Sequence, residues 1–258
     1  MSICNAIGNT TIANALEGEL GYFTGIRLLA DELVLVKGLI ESQWLDTIQQ
    51  SYPDYAQQFA DRGIDRYHEL SHLVDHSTLW HKRTRILPAS AVSLIRSTSL
   101  FKQLEAEFGN FDLSDEEGNG RESIYWRLVR PHQPTDVGPI HADKWFWDLN
   151  GWAMPPETQR VKVWIAIVCE PGLGGLRIAP GSHRQDVPYH GVIRHGIPKP
   201  QIDLSEDELP LELFQSQPGD AIVFHDRLLH GGSVTSGTLT RVSLEFTAFI
   251  PNATYFVR

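Results

Sequence analysis

His141 and Asp143, one residue apart, and a distant His230 offer two imidazoles and one carboxylate. On one face of a cavity these groups would hold a divalent metal and leave three of its six positions open, the ligand set of non-haem Fe(II) oxygenases. Arg241 follows His230 by eleven residues, inside the apolar run 240–246. A guanidinium in such a strand needs a carboxylate partner, which a bound organic acid would supply.

Residues two apart in a regular strand share a face, so His141 and Asp143 are expected to point together, with Ala142 pointing away. A His-X-Asp tripeptide alone is a weak pattern. Its surroundings strengthen it. His230 is preceded by a turn and apolar strand at 217–225 and followed by Gly231 and Gly232, where backbone can come close to another group. A core histidine satisfied by packing is the other reading of His230.

A scaffold must position these residues. Between 29 and 108 the short apolar stretch 33–37 reads as a strand, and 40–52 and 89–108 carry helical spacing. From 124 onward, apolar runs at 124–129, 161–168, 176–179, 221–224 and 241–250 are divided by Pro- and Gly-rich turns and predict strands. Many short strands without intervening helices indicate a mainly β fold with flanking helices: a double-stranded β-helix, the cupin-like jelly roll. The stretch 191–213, rich in Pro, Asp and Glu, reads as a long insertion between two strands and a candidate lid. One domain is expected over 1–258, with helical support over about 1–120 and a jelly-roll core over about 121–250.

With 32 acidic and 22 basic residues the formal net charge is −10, which argues against nucleic acid or an anionic membrane as partner. A small-molecule substrate is expected. The two cysteines, Cys4 and Cys169, make no disulfide framework and fit a reducing compartment. No signal peptide or membrane span is evident, so a cytoplasmic location is expected. Nothing in the sequence specifies the oligomeric state.

His141-X-Asp143, the run 175–183 ending in Pro180-Gly-Ser-His183, Pro218-Gly-Asp220, His225 with His230-Gly-Gly232, and Arg241-X-Ser243 occur in an order that resembles the phytanoyl-CoA dioxygenase family of Fe(II)/2-oxoglutarate oxygenases. The resemblance covers roughly 124–249, and five co-linear motifs are far more specific than any one of them. It implies a double-stranded β-helix and places His141, Asp143 and His230 on Fe(II). It also implies Arg241 on the distal carboxylate of 2-oxoglutarate and Trp164 beside that co-substrate. Arg127 is the candidate for its proximal carboxylate, the alternative being a surface arginine on an edge strand. Ser243 shares a face with Arg241 by strand alternation and is a candidate for the same contact. Many members carry Gln where this chain has Ala142, so any role of that amide is missing.

In this scheme 2-oxoglutarate fills two metal positions and O2 the last. Decarboxylation to succinate and CO2 would then drive attack on a substrate C–H bond. Halogenating relatives have a small residue in place of the carboxylate, so Asp143 disfavours halogenation. Hydroxylation of a small polar metabolite, such as a natural product, amino acid or saccharide, is the expected outcome. Desaturation, cyclisation and oxidative C–N cleavage use the same ligands and stay open. A non-catalytic metal-binding jelly roll is the alternative of another class, and Arg241 argues against it, since a structural metal has no need of a buried guanidinium.

For the substrate, Lys144, Trp145, Trp147 and Trp152 crowd behind Asp143 and read either as pocket walls or as ordinary packing. Lys144, His183, Arg184, Arg194, His195 and Lys199 are expected near the mouth or lid, where they could recognise an anionic or hydroxylated compound. Ser182 reads as a turn residue. A long-chain acyl-CoA is disfavoured, because no basic cluster suits its nucleotide phosphates.

Overall fold

The longest helix covers the stretch expected to open with a strand. In the computed structural model, which describes residues 11–194 and 196–252, the run 33–37 lies inside α2 (Ala30–Ser51). Val36, Ile40, Trp44 and Ile48 recur every fourth residue and are all buried, a helical stripe longer than the apolar run that suggested a strand. Asp31 and Glu32 favour the helix start, and the Glu32 carboxylate accepts the Leu29 N–H at 2.9 Å.

Around α2 lie α1 (Ile12–Glu17), α3 (Ala56–Arg62), α4 (Tyr67–Leu70), α5 (His76–Leu79), α6 (Ala89–Arg96) and α7 (Ser99–Phe108). The helical run 89–108 is thus two helices, broken where Thr98 caps α7. The strands are β1 (Tyr22–Arg27), β2 (Asp112–Leu113), β3 (Tyr125–Val129), β4 (Thr158–Val168), β5 (Leu176–Ile178), β6 (Tyr189–Arg194), β7 (Ile197–Ile202), β8 (Glu212–Leu213), β9 (Asp220–His225), β10 (His230–Gly232) and β11 (Arg241–Pro251). One further helix, α8 (Asp143–Asn150), interrupts them.

The major sheet runs β1-β9-β4-β11-β2, with β3 also paired to β11, and the minor sheet runs β10-β5-β8. All pairings between named strands are antiparallel. Along β11, Val242, Leu244, Phe246, Ala248 and Ile250 join the large apolar core shared with the helices. Arg241, Ser243, Glu245 and Thr247 therefore face the opposite way, into the space between the sheets. Trp126 on β3 ties the helical layer to the sheet by donating its indole N–H to Gln43 Oε1 at 2.8 Å.

The expected insertion at 191–213 is largely ordered strand. β6 and β7 form a two-stranded hairpin that rests on α8 through the Asn150 side-chain amide, which donates to Pro198 O at 3.1 Å. A two-stranded ribbon has only edges, so Pro198 and Pro200 cost it no interior ladder bond, and the proline content did not exclude a strand. Cys4 and His195 lie outside the described residues.

Candidate metal centre

His141 and His230 meet through their backbones. Each donates its N–H to the other's carbonyl at 2.9 Å, an isolated antiparallel bridge between the segment before α8 and the minor sheet. Their rings lie 4.5 Å apart. His141 Nδ1 is 2.8 Å from Pro139 O and His230 Nδ1 is 2.9 Å from Leu228 O. A carbonyl can only accept, so both Nδ1 atoms carry the hydrogen and both Nε2 lone pairs are left for a metal.

Asp143 does not lie on a strand beside His141. The chain leaves its extended course at Ala142, the N-cap of α8, and Asp143 is the first helical residue. The turn swings its carboxylate back, so that Oδ1 lies 3.6 Å from His141 Nε2 and 3.9 Å from His230 Nε2. The three ligand atoms fall within 4.8 Å of one another and could hold a metal ion. Ala142 is buried among Ile140, Trp145, Ala179 and Leu229.

Electrostatics keep Asp143 and His230 ready to coordinate. Burial alone would raise the Asp143 pKa, but Lys162, with Nζ 3.7 Å from Oδ2, and the two imidazoles hold it well below the usual carboxylate range. Burial lowers the His230 pKa to about 4, so its ring is neutral at pH 7. The N-terminus of α8 is anchored from behind: Lys144 N–H donates to Asp226 O at 2.9 Å, and Asp226 takes Arg160 Nη2 at 2.7 Å. The Arg160 guanidinium in turn lies 4.5 Å over the Trp147 ring.

Next to this triad the inward row of β11 carries unsatisfied polar atoms. Arg241 is 4 % exposed with no carboxylate in ion-pair range among the described residues, and its Nε has no acceptor there. Ser243 Oγ, two residues on, is buried and equally unpartnered. Gly232, directly after the His230 strand start, leaves the space a guanidinium needs: a Cβ there would lie 3.4 Å from an Arg241 Nη. Trp164 is buried on the same inner surface, paired in register with Glu245 and Ile222. Buried groups that lack partners in the protein are where a small polar ligand restores hydrogen bonding.

The family model for phytanoyl-CoA dioxygenase (PhyH) matches residues 33–242, more than half of the chain. The chain belongs to this family.

As a phytanoyl-CoA dioxygenase family member it is an Fe(II)/2-oxoglutarate-dependent oxygenase of jelly-roll fold, using Fe(II), 2-oxoglutarate and O2. Among solved structures it is similar to EvdO2 from Micromonospora carbonacea var. aurantiaca complexed with 2-oxoglutarate, with TM-score 0.57, 14 % identity, and 97 % of this chain and 94 % of that chain covered. EctD from S. alaskensis superposes with TM-score 0.55 and 14 % identity over 94 % of this chain and 79 % of that one. The carbocyclase SnoK from nogalamycin biosynthesis gives 0.54 and 13 % over 93 % and 83 %. No curated protein matches the chain in sequence. The donor set suits the family's metal: two imidazoles with Nε2 left for a metal and an ionised carboxylate on one face, with the unpartnered Arg241 Nε and Ser243 Oγ alongside.

In this family member α8 begins at Asp143, and its period of 3.6 divides the expected substrate residues between two helical faces. Asp143, Phe146, Trp147 and Asn150 share one helical face; Lys144, Trp145 and Asp148 occupy the other. Lys144 pairs with Asp148 at 2.7 Å, and with Trp145 it lines a surface cleft of about 460 Å³. Trp145 stacks on Tyr189 of the hairpin at 4.4 Å. Phe146, not singled out by sequence, is the aromatic that meets the metal ligands, 5.2 Å edge-on from the His141 ring. Trp147 packs against Phe249 and the half-exposed Trp152.

His183 is buried rather than at the mouth. Its ring lies 5.4 Å from His225 and is capped by Gly21, where a Cβ would come within 2.3 Å of Nδ1. Ser182 is a turn residue whose Oγ accepts the Leu229 N–H at 2.8 Å. Arg184 is exposed, and Arg194 donates to Gln201 on the neighbouring strand. Arg127 is the exposed residue of β3 and is ion-paired with Glu245 at 2.8 Å, so a co-substrate carboxylate would have to share it. Lys162, Glu245, Arg160 and Asp226 escaped sequence reasoning, since only strand register brings them together. The one readable signal was a lysine alternating into the apolar strand 161–168.

Proposed function

We propose that this enzyme hydroxylates a C–H bond of a small polar metabolite, converting 2-oxoglutarate and O2 to succinate and CO2. The observation that carries this reading is the buried pair of unpartnered groups, Arg241 Nε and Ser243 Oγ, beside the His141, Asp143 and His230 ligand atoms. In this proposal those three residues bind Fe(II), and Arg241 with Ser243 takes the distal carboxylate of 2-oxoglutarate. Trp164 walls the co-substrate pocket. When bound, iron and 2-oxoglutarate supply an oxidant strong enough to break a C–H bond.

The protein's part is to hold and exclude. The two Nδ1–H donors lock the imidazoles in the coordinating tautomer, and Lys162 holds Asp143 Oδ2 while Oδ1 lies toward the two Nε2 atoms. Phe146 and Trp164 present apolar surface that keeps water from the reacting carbon. A single domain in a reducing, cytoplasmic setting is part of the same proposal. It is supported by a cysteine usage without a disulfide framework and by the absence, among the described residues, of a helix long and apolar enough to cross a membrane.

Anaerobic titration with Fe(II) and then 2-oxoglutarate tests the reading. A weak visible charge-transfer band is expected on the second addition, and metal binding without that band would overturn it. Succinate release then serves to screen substrates. A product heavier by one oxygen atom supports hydroxylation, and one lighter by two hydrogens replaces it with desaturation or the ring closure named for SnoK.

A further inference from the structure

Between β3 and His141 the chain runs as a strap, 130–140, that touches both halves of the site. At one end Pro139 O takes the His141 Nδ1 hydrogen at 2.8 Å, the contact that leaves Nε2 for a metal. Further back, Val137 shares the space over Gly232 with Arg241: a Cβ on that glycine would lie 3.3 Å from Val137 Cγ1 and 3.4 Å from an Arg241 Nη. Val137 therefore walls the guanidinium assigned above to 2-oxoglutarate.

Two features fix the course of the strap. His132 donates its N–H to Thr235 O at 2.9 Å and adopts a φ of 57°, a left-handed conformation that costs a non-glycine residue and persists where the surroundings impose it. Four residues on, the buried Asp136 carboxylate closes the strap on itself. Its Oδ2 accepts from the Arg130 N–H and Nε, both at 2.9 Å, and its Oδ1 accepts from Arg130 Nη2 at 2.8 Å.

The helical layer backs this clamp. Trp80 Nε1 donates to the Tyr67 hydroxyl at 2.9 Å, so the Tyr67 hydrogen is free for His76 Nδ1, 3.0 Å away. His76 then carries its own hydrogen on Nε2, which faces Asp136 Oδ1 at 3.5 Å. Tyr67 is fully buried and the Trp80 ring lies 5.3 Å from Trp126 on β3, so the chain of contacts is rooted in the core.

We propose, on the footing of the oxygenase reading, that Asp136 is a positioning residue for both halves of the site. By clamping the strap it keeps Pro139 O on His141 and Val137 against Arg241. Without the clamp the strap relaxes from its strained turn at His132, and both contacts loosen together. Groups that orient a metal ligand from behind are worth about 10–100-fold in metal affinity.

The test uses the whole chain. Loaded with Co(II), its coordinated imidazoles give strongly shifted, exchangeable Nδ1–H resonances in proton NMR; loaded anaerobically with Fe(II), it is titrated with 2-oxoglutarate through the charge-transfer band. The resonance that moves in Phe146→Leu belongs to His141, whose ring Phe146 meets edge-on. In Asp136→Asn the His141 resonance should broaden by exchange with water while that of His230 stays sharp, and the 2-oxoglutarate midpoint should rise at least about tenfold. Val137→Ala, which spares the clamp, should raise the midpoint and leave both resonances sharp, and it decides the matter if Asp136→Asn does not fold. Trp145→Ala loosens the fold at the β6–β7 hairpin and should change neither readout. An unaltered His141 resonance in folded Asp136→Asn, an unchanged midpoint in either strap variant, or the same losses in Trp145→Ala overturn the proposal. A wild-type chain that gives no charge-transfer band, while Asp136→Asn still broadens the His141 resonance, removes the oxygenase reading and leaves the clamp standing.

Discussion

Arg241→Met separates the cost of an unpartnered buried cation from its value to the co-substrate. The guanidinium is 4 % exposed, and burial followed by repulsion from Arg127 holds its pKa down to about 10. Without ligand the substitution removes a buried charge that has no counter-ion and fills its volume with an apolar chain. Exchanges of buried charged groups for apolar ones are often neutral or stabilising by about 1–4 kcal/mol, so the free variant should melt no lower than wild type. With ligand the balance reverses. Two charge-assisted hydrogen bonds of about 1.5 kcal/mol each are lost, about 100-fold in 2-oxoglutarate affinity. Thermal melts with Mn(II) in place of Fe(II) read both effects without turnover. At 2-oxoglutarate of about 100 times the wild-type Kd, linkage stabilises wild type by about 2.7 kcal/mol, or about 5–10 °C for a chain of this length. The variant retains about 0.4 kcal/mol, or about 1 °C. A variant that melts several degrees low without ligand would make Arg241 a structural residue, and an undiminished 2-oxoglutarate shift would remove it from the co-substrate site.

Asp143→Ala should abolish metal binding and also destabilise the apoprotein by about 3 kcal/mol, because it strands the buried Lys162 charge. Adding Lys162→Met should restore the apoprotein in urea unfolding but not its metal affinity; a single variant as stable as wild type would deny the coupling. His183 sets a pH dependence: its folded pKa of about 4, lowered by burial and by His225, lies below the unfolded value near 6.5. The unfolded chain therefore binds the extra proton. Stability is full above about pH 6.5 and falls by about 3 kcal/mol as pH drops towards 4. Denaturation midpoints of His183→Gln across this range should lose that slope relative to wild type, and parallel curves would refute it. Trp145→Ala should loosen the β6–β7 hairpin through loss of its stacking on Tyr189 and should cost about 3 kcal/mol. Faster proteolysis within 189–202, with metal affinity retained, is the expected readout, and unchanged cleavage would dissociate Trp145 from the hairpin.

The longer strands around the site, β4 and β11, were readable because they are strongly patterned, whereas the three-residue β10 that carries His230 was not among the expected strands. Period-two alternation on 241–250 puts Arg241 and Ser243 on one face, and β11 realises it. The same rule misleads at 141–143, where the chain turns from extended to helical between the two ligands. It also misleads at 33–37, where a four-residue apolar rhythm running to Ile48 outweighs a short local run of apolar residues. The aromatics behind Asp143 were legible as a group but not individually, since only the helical period decides that Phe146 and not Trp145 meets the metal ligands.

By itself the sequence determined the chemical inventory: two imidazoles, a carboxylate, a guanidinium in an apolar strand, and the β-rich order that carries them. These follow from residue type and local periodicity, which need no distant partner. Tertiary structure alone decided that Arg127 meets Glu245, 118 residues away, that Lys162 backs Asp143, and that the β6–β7 hairpin is clamped to α8. Such pairings depend on strand register and on how one element packs against another, and long-range register is set by the burial of the whole sheet rather than by any segment of it.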